Sequence, residues 1–206
     1  MKRSLLGILV ERLIMRKLWS AYRDGLEVGA VPGCGGVVFL GDSLTHNGRW
    51  ELMFPDSPVR NFGIGGERSE HLLTRLQPII SVQPSKIFIL IGTNDLAANR
   101  TIDAISADVD TLVERLQAAL PGCALHLQTL MPRKQKFAAR IRQINTRYQA
   151  IATRRGIPCI DLFPAFDDGT GTLRKELTWD ALHLSGRGYQ VWRDLLAPHV
   201  LAGSRS

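Results

Sequence analysis

Ser43 lies in the turn Gly41-Asp42-Ser43-Leu44, directly after the apolar run Gly36-Val37-Val38-Phe39-Leu40. A short β-branched run of this kind reads as a buried strand, and a turn at its end exposes a hydroxyl at the carboxyl edge of a sheet. Ligands bind at that edge in open α/β folds. A serine placed there can attack an acyl carbonyl if the chain also supplies a base, a group to orient the base and donors for an oxyanion. Three downstream segments carry such groups. Asn61-Phe62-Gly63-Ile64-Gly65-Gly66-Glu67 is glycine-rich, so its backbone N–H groups can approach a ligand closely. Gly92-Thr93-Asn94-Asp95 brings an amide side chain, and Asp180-Ala181-Leu182-His183 sets a carboxylate three residues before a histidine. His183 alone of the five histidines has a carboxylate in that position.

Together these groups specify a covalent acyl transfer. Ser43 Oγ attacks the carbonyl, His183 takes its proton, and Asp180 fixes the imidazole tautomer and stabilises the imidazolium. The backbone N–H groups of Ser43 and Gly66, with the Asn94 side-chain amide, hold the oxyanion; each such donor is worth on the order of 10²–10³ in rate. The order Ser, Asp, His is that of the α/β-hydrolases, but their GxSxG elbow is absent. Neighbouring residues have plainer readings. Asp42 braces the turn, Asp95 caps the following helix, His46 is an exposed loop histidine and His126 is a satisfied core histidine. Trp50 and Trp179 flank these loops and read as packing residues rather than as walls of an acyl pocket. Gly63-Ile64-Gly65-Gly66 starts like a dinucleotide-binding GxGxxG, but position 68 is Arg and the segment follows the second strand, which defeats that reading.

The elements that must position these groups alternate between two periods. Strand candidates are Val37–Leu40, Val59–Phe62, Lys86–Ile91, Ala124–Leu130 and Pro158–Leu162; the third is almost continuously apolar, as a central strand buried on both faces should be. Between them, Ser69–Ile80 predicts one helix with Leu72, Leu73, Leu76 and Ile79 on its apolar face. Thr101–Leu120 predicts a second, and Phe137, Ile141, Ile144, Tyr148 and Ile151 mark a third. The last helix starts after Leu184 with Ser185 as its N-cap. Strands alternating with helices predict a parallel sheet covered on both faces. The 206 residues read as a single domain with an N-terminal helical extension over 1–24.

Composition narrows the class. An apolar content of 45% is that of a soluble globular chain with a sizeable core. The net charge of +7 raises nucleic acid or anionic lipid as partners. Much of the excess is local, however: Arg133 to Arg155 includes Lys134, Lys136, Arg140, Arg142, Arg147 and Arg154 and no acid, which reads as the solvated face of a helix. Cys34, Cys123 and Cys159 have no CxxC spacing, so neither a disulfide framework nor a metal site is expected and a reducing, cytoplasmic compartment is the default. Cys123 and Cys159 read as small buried hydrophobes. The start, Met1-Lys2-Arg3 followed by Ser4 to Val10, superficially resembles a signal peptide. Glu11, Arg12, Arg16 and Lys17 interrupt it and no cleavage site follows. No apolar run reaches the length of a membrane span.

The four blocks Gly41-Asp42-Ser43-Leu44, Gly66, Gly92-Thr93-Asn94-Asp95 and Asp180-x-x-His183, in this order from Val37 to about Val200, resemble the SGNH, or GDSL, hydrolase superfamily. Within it, Asn61–Gly66 and Asp180–Tyr189 look most like the platelet-activating-factor acetylhydrolase catalytic subunits, and bacterial carbohydrate acetylesterases share much of the pattern. Glu67 stands where many of these relatives have Asp, and the segment before Trp19 falls outside the match. The resemblance implies a flavodoxin-like three-layer α/β/α fold with a five-stranded parallel sheet of order 2-1-3-4-5. It also implies cofactor-free ester hydrolysis and the roles already given to Ser43, Gly66, Asn94, Asp180 and His183. A small acyl ester, acetyl first, is the expected substrate, and a homodimer is left open. The competing readings are a lipase, lysophospholipase or thioesterase for longer chains, and a non-catalytic module whose basic face binds nucleic acid or anionic lipid.

Overall fold

The computed structural model describes residues 25–26 and 30–202. The expected extension over 1–24 lies outside the described residues. Five parallel strands run in the order 2-1-3-4-5: β1 (Val37–Gly41), β2 (Val59–Gly63), β3 (Lys86–Leu90), β4 (Ala124–Gln128) and β5 (Cys159–Ile160). The helices are α1 (Ser43–His46), α2 (Trp50–Met53), α3 (Ser69–Leu72), α4 (Leu76–Val82), α5 (Thr93–Ala97), α6 (Ile102–Ala119), α7 (Ala138–Arg155), α8 (Phe163–Phe166) and α9 (Gly186–Val200). This is the three-layer parallel architecture that the alternating pattern predicts.

Strand register explains how the layers are held. Phe39, Phe88 and His126 stand opposite one another on β1, β3 and β4. Their rings stack across one face of the sheet, Phe39 on Phe88 at 5.3 Å and Phe88 on His126 at 4.5 Å between centroids. Trp50 of α2 lies flat on Phe39 at 4.0 Å and meets Trp192 of α9 edge-on at 4.8 Å, so this aromatic wall fastens α2 and α9 to the sheet. The Trp192 indole N–H donates to Gln128 Oε1 at 2.7 Å. Alternation turns Val38, Leu40, Ile87 and Ile89 to the opposite face, where α6 and α7 lie side by side. Their seam is laced by ions: Arg147 meets Asp103, Arg154 meets Asp110, and Arg155 meets both Asp110 and Glu114. The basic run keeps the solvated face expected of it, with Lys134, Lys136, Arg142, Arg147 and Arg154 exposed, although Arg147, Arg154 and Arg155 also meet acids of α6 and its first member, Arg133, is buried.

Two expectations differ. The segment Ser69–Ile80 forms two short helices, α3 and α4, rather than one. Pro78 has no N–H to donate and its ring clashes with the carbonyl four residues back, that of Thr74, so one helix cannot run through both. The break lets Arg75 leave helical geometry, at φ −129° and ψ 37°, and turn inward. Cys123 and Cys159 are free thiols, half-buried rather than fully buried; desolvation pushes each up to about 11. The cap expected at Ser185 is in place, accepting from Gly188 N at 3.3 Å, and Thr101 caps α6 in the same way, accepting from Ala104 N at 3.2 Å. Among the described residues, no helix is long and apolar enough to cross a membrane.

Candidate active site

All four blocks arrive at the carboxyl edge of the sheet. β1 ends in Gly41, where a Cβ would lie 2.2 Å from the Leu90 carbonyl oxygen, so only glycine lets the turn pass this close to β3. Asp42 follows as the N-cap of α1 and its Oδ1 accepts from Leu44 N at 3.0 Å. Ser43 is thereby the first residue of a helix whose far end is tied down too. The Tyr189 hydroxyl donates to the Leu44 carbonyl at 2.7 Å, and the His46 ring Nδ1 lies 3.2 Å from the Gly63 carbonyl. His46 is thus a half-buried helix residue, not an exposed loop histidine, because the end of β2 needs a donor there.

Ser43, His183 and Asp180 form one hydrogen-bonded series. Ser43 Oγ is 3.2 Å from His183 Nε2, and His183 Nδ1 is 2.7 Å from Asp180 Oδ2. A carboxylate accepts only, so Nδ1 carries the proton and Nε2 is left to accept from the serine hydroxyl. The second Asp180 oxygen accepts from the backbone N–H groups of His183 at 2.7 Å and Leu182 at 2.9 Å. Burial raises the Asp180 pKa, but the hydrogen bonds from the His183 ring and from those two amides outweigh it and hold the carboxyl below its ordinary value. The loop is locked further by Thr178, whose hydroxyl donates to the His183 carbonyl at 2.6 Å and accepts from Asp180 N at 3.3 Å. Ala181, between Asp180 and His183, has φ +63°, a conformation that is strained for any side chain.

The other two blocks meet beside this series. Gly66 has φ +76° and is exposed at the edge. The Asn94 side-chain amide donates to the Glu67 carbonyl at 2.9 Å, so the two candidate donor loops are fastened to each other. Behind them lies a buried ion pair. Arg75 donates from Nε to Glu67 Oε2 at 2.7 Å and from Nη2 to the Phe62 carbonyl at 2.8 Å. This pair ties the loop after β2 to the strand end beside Ser43. Sequence reasoning missed Arg75, which sits in an apparently helical stretch; Pro78 was the available signal. Gly92, at φ +127°, packs so closely that a Cβ would lie 2.7 Å from Tyr148 Oη.

Asp95 does not cap the helix that follows it, whose N-cap is Thr101. Its fully buried carboxylate accepts from Ser69 N, Ser69 Oγ and Arg100, which anchors α5 and thus Asn94 from below. Asp42 is also buried, and desolvation pushes its carboxyl up to about 7 against the opposing Leu44 N–H bond and the Arg133 charge. Arg133 lies over the Phe137 ring at 4.2 Å and donates to the Thr93 carbonyl at 2.9 Å, with its charge acting on both Asp42 and Asp180. His126 is buried as expected, yet its Nδ1 has no partner, and desolvation lowers its pKa. Trp50 is a packing residue. Trp179 is not: it is 72% exposed and stacks on the His183 ring at 5.3 Å and 13°. Packing would have buried it; the loop instead turns it outward. A cleft of about 330 Å³ opens between α2 and α9, with Asn47, Arg49, Leu52 and Tyr189 among its walls and none of Ser43, Asp180 or His183 lining it.

Residues 39–191 match the family described as GDSL-like Lipase/Acylhydrolase. The platelet-activating factor acetylhydrolase IB subunit alpha1 of Rattus norvegicus is 30% identical over 165 residues, covering 74% of this chain and 69% of that protein. A solved Streptococcus pneumoniae protein, described in connection with platelet activating factor, superposes with a TM-score of 0.87 at 22% identity, covering 96% of this chain and 100% of the other. Axe2, an acetylxylan esterase of Geobacillus stearothermophilus, superposes with a TM-score of 0.66 at 20% identity, over 82% and 96% of the two chains. At these identities the two structures speak for the fold.

Proposed function

This chain belongs to the GDSL-like lipase/acylhydrolase family and is a carboxylic ester hydrolase, and on that premise we propose that it is a serine esterase working through an acyl-enzyme on small, acetyl-type esters. The observation that carries the mechanism is the series Ser43 Oγ, His183 Nε2, His183 Nδ1 and Asp180 Oδ2, at 3.2 and 2.7 Å. Ser43 Oγ attacks the acyl carbon as Nε2 takes its proton, and Asp180 holds the resulting imidazolium. The backbone N–H groups of Ser43 and Gly66 and the second N–H of the Asn94 amide receive the oxyanion. One Asn94 N–H is committed to the Glu67 carbonyl, which fixes the amide before substrate arrives. His183 then gives the proton to the leaving alcohol, and water repeats the sequence to release the acid.

Acetyl as the acyl group is supported by two relatives, one named an acetylhydrolase and one an acetylxylan esterase. The basic-module alternative is weakened only in part, because Arg147, Arg154 and Arg155 meet acids of α6 while Lys134 and Lys136 stay exposed. Ser43→Ala should abolish hydrolysis of 4-nitrophenyl acetate with an unchanged circular dichroism spectrum, and a fluorophosphonate should label Ser43. Full turnover by that variant would end the mechanism. Rates along a series of 4-nitrophenyl esters test the chain length, and a maximum at octanoyl or longer would end the acetyl assignment.

A further inference from the structure

Three arginines support the loops at the carboxyl edge, and two of them are paired with carboxylates. Arg75 meets Glu67, and Arg100 meets Asp95 and Asp108. Arg133, only 9% exposed, has no carboxylate within ion-pair distance among the described residues; its charge reaches Asp42 and Asp180 only through space. Its Nη1 donates to the Thr93 carbonyl at 2.9 Å and lies 3.3 Å from the Thr93 hydroxyl, both neutral groups, and its Nε is buried with no partner. Taking a guanidinium out of water without a paired counter-charge is costly, and an apolar side chain of similar volume would serve the fold as well or better. Stability alone therefore gives no reason for a cation at this position.

The backbone that Arg133 grips is the one that delivers Asn94. α5 begins at Thr93 and is five residues long, too short to be stable by itself. Its N-cap is Gly92, at φ +127°, which offers no side chain to bond the first turn. Asn94 follows directly after the carbonyl that Arg133 holds, so the chain just before the amide has no local brace and takes one from β4. Arg133 is itself fixed along its length. Its carbonyl accepts from Leu173 N at 3.1 Å, its backbone pairs with Thr172, and its guanidinium carbon lies 4.2 Å from the centre of the Phe137 ring. A side chain held in this way is a strut from the loop after β4 to the start of α5.

Resting on the esterase reading above, we propose that Arg133 is a positioning residue for the oxyanion site, acting through Thr93 to hold the Asn94 amide where negative charge develops. When Ser43 Oγ bonds to the acyl carbon, the carbonyl π pair moves onto oxygen, and the full charge exists in the tetrahedral intermediate but not in the bound ester. One Asn94 N–H is on the Glu67 carbonyl, so the aim of the second depends on where the Asn94 backbone sits. Asp95 anchors that backbone from its C-terminal side and Arg133 from its N-terminal side. A misplacement of about 1 Å caused by a group away from the chemistry can cost about 100-fold in rate.

The test is a double-mutant cycle between Arg133 and Asn94, read as kcat and KM for 4-nitrophenyl acetate. Arg133→Met cannot donate to Thr93. It should lower kcat and kcat/KM together, by about 10- to 100-fold, with KM nearly unchanged, as befits an interaction realised only in the transition state. Asn94→Ala should lower both by on the order of 10²–10³. In the Asn94→Ala background, Arg133→Met should cost less than about twofold, because the amide it positions is gone. A general loosening of the fold would instead lower activity by the same factor in both backgrounds. Circular dichroism and Tm establish that each variant is folded. Arg133→Gln, polar but shorter than arginine, takes the place of Arg133→Met in the cycle if the methionine variant does not fold, with the same expectations. Losses that multiply in the cycle, a single variant whose kcat stays within about twofold of the parent, or a loss confined to KM would overturn the assignment. Failure of the esterase reading shows differently, as turnover that survives Ser43→Ala.

Discussion

Replacing Arg75 by methionine would remove the cation from a pair in which Arg75 is 6% and Glu67 3% exposed. The Glu67 carboxylate would then be buried without its main counter-charge, and the carbonyls of Phe62 and Gly41 would lose a donor. Breaking a buried ion pair from one side costs about 3–5 kcal/mol. A domain of this size loses about 2–4 °C of Tm per kcal/mol, so Arg75→Met should lower Tm by about 6–20 °C. The double variant Arg75→Met/Glu67→Leu should recover much of this, since an apolar pair of similar volume often replaces a buried ion pair without loss. Recovery stays incomplete because the Phe62 carbonyl loses its Arg75 donor, at up to about 1–3 kcal/mol, whereas the Gly41 carbonyl keeps the Ile64 N–H. On the proposed mechanism activity should fall in both variants, because the Glu67 carbonyl holds the Asn94 amide and displacing a proposed oxyanion donor costs part of the 10²–10³ that losing one does. Differential scanning calorimetry and 4-nitrophenyl acetate hydrolysis read the two effects. A single variant that unfolds within 2 °C of the parent, or a double variant less stable than the single, would refute the claim that this pair braces the site.

The remaining expectations are smaller in scope. Burial raises the Asp42 carboxyl from the ordinary aspartate value of 3.8 to about 7, so between these pH values the folded chain holds a proton that the unfolded chain has released. Its contribution to stability therefore falls as pH rises across that window, and Asp42→Asn should gain in Tm relative to the parent between pH 4 and pH 8; a constant difference would refute this. Asp180→Asn should keep the fold and lower kcat by on the order of 10³–10⁴ through the wrong imidazole tautomer, a loss that steady-state kinetics would either show or deny. Gly92→Ala forces a Cβ toward the Tyr148 hydroxyl at φ +127°, so both Tm and kcat should drop. Ala181 at φ +63° should accept Gly with a Tm change of a degree or two, while Ala181→Val should cost at least about 1 kcal/mol and slow the reaction.

Much of this protein is legible in its residues taken in order. The five strands follow from short β-branched runs, and their alternation with amphipathic helices permits little but a parallel sheet. A parallel sheet brings every strand's carboxyl end to one edge, so chemically pointed residues just after the strands had to meet. That is why Ser43, Gly66, Asn94 and the Asp180–His183 loop could be grouped as one site from their positions alone. Local rules also sufficed for Asp42 and Ser185, whose partners lie two and three residues away.

Tertiary structure decided what depends on partners far along the chain. Arg75 reads as a helix-surface arginine until the break at Pro78 turns it toward Glu67 and the ends of β1 and β2. Asp95 reads as a cap until Ser69 and Arg100 converge on it, and Arg133 reads as part of a basic face until Thr93 and Phe137 enclose it. Trp179 is the clearest case. A tryptophan beside a loop is ordinarily buried, because removing so much apolar surface from water is favourable. The strained turn at Ala181 and the bonds that lock Asp180 and His183 hold it outside instead, stacked on the imidazole. Side-chain type and spacing determine which groups reach the edge of the sheet. Which of them turn inward and which face solvent is determined by the competition among burial, charge pairing and backbone hydrogen bonds, and that competition exists only once the chain is folded.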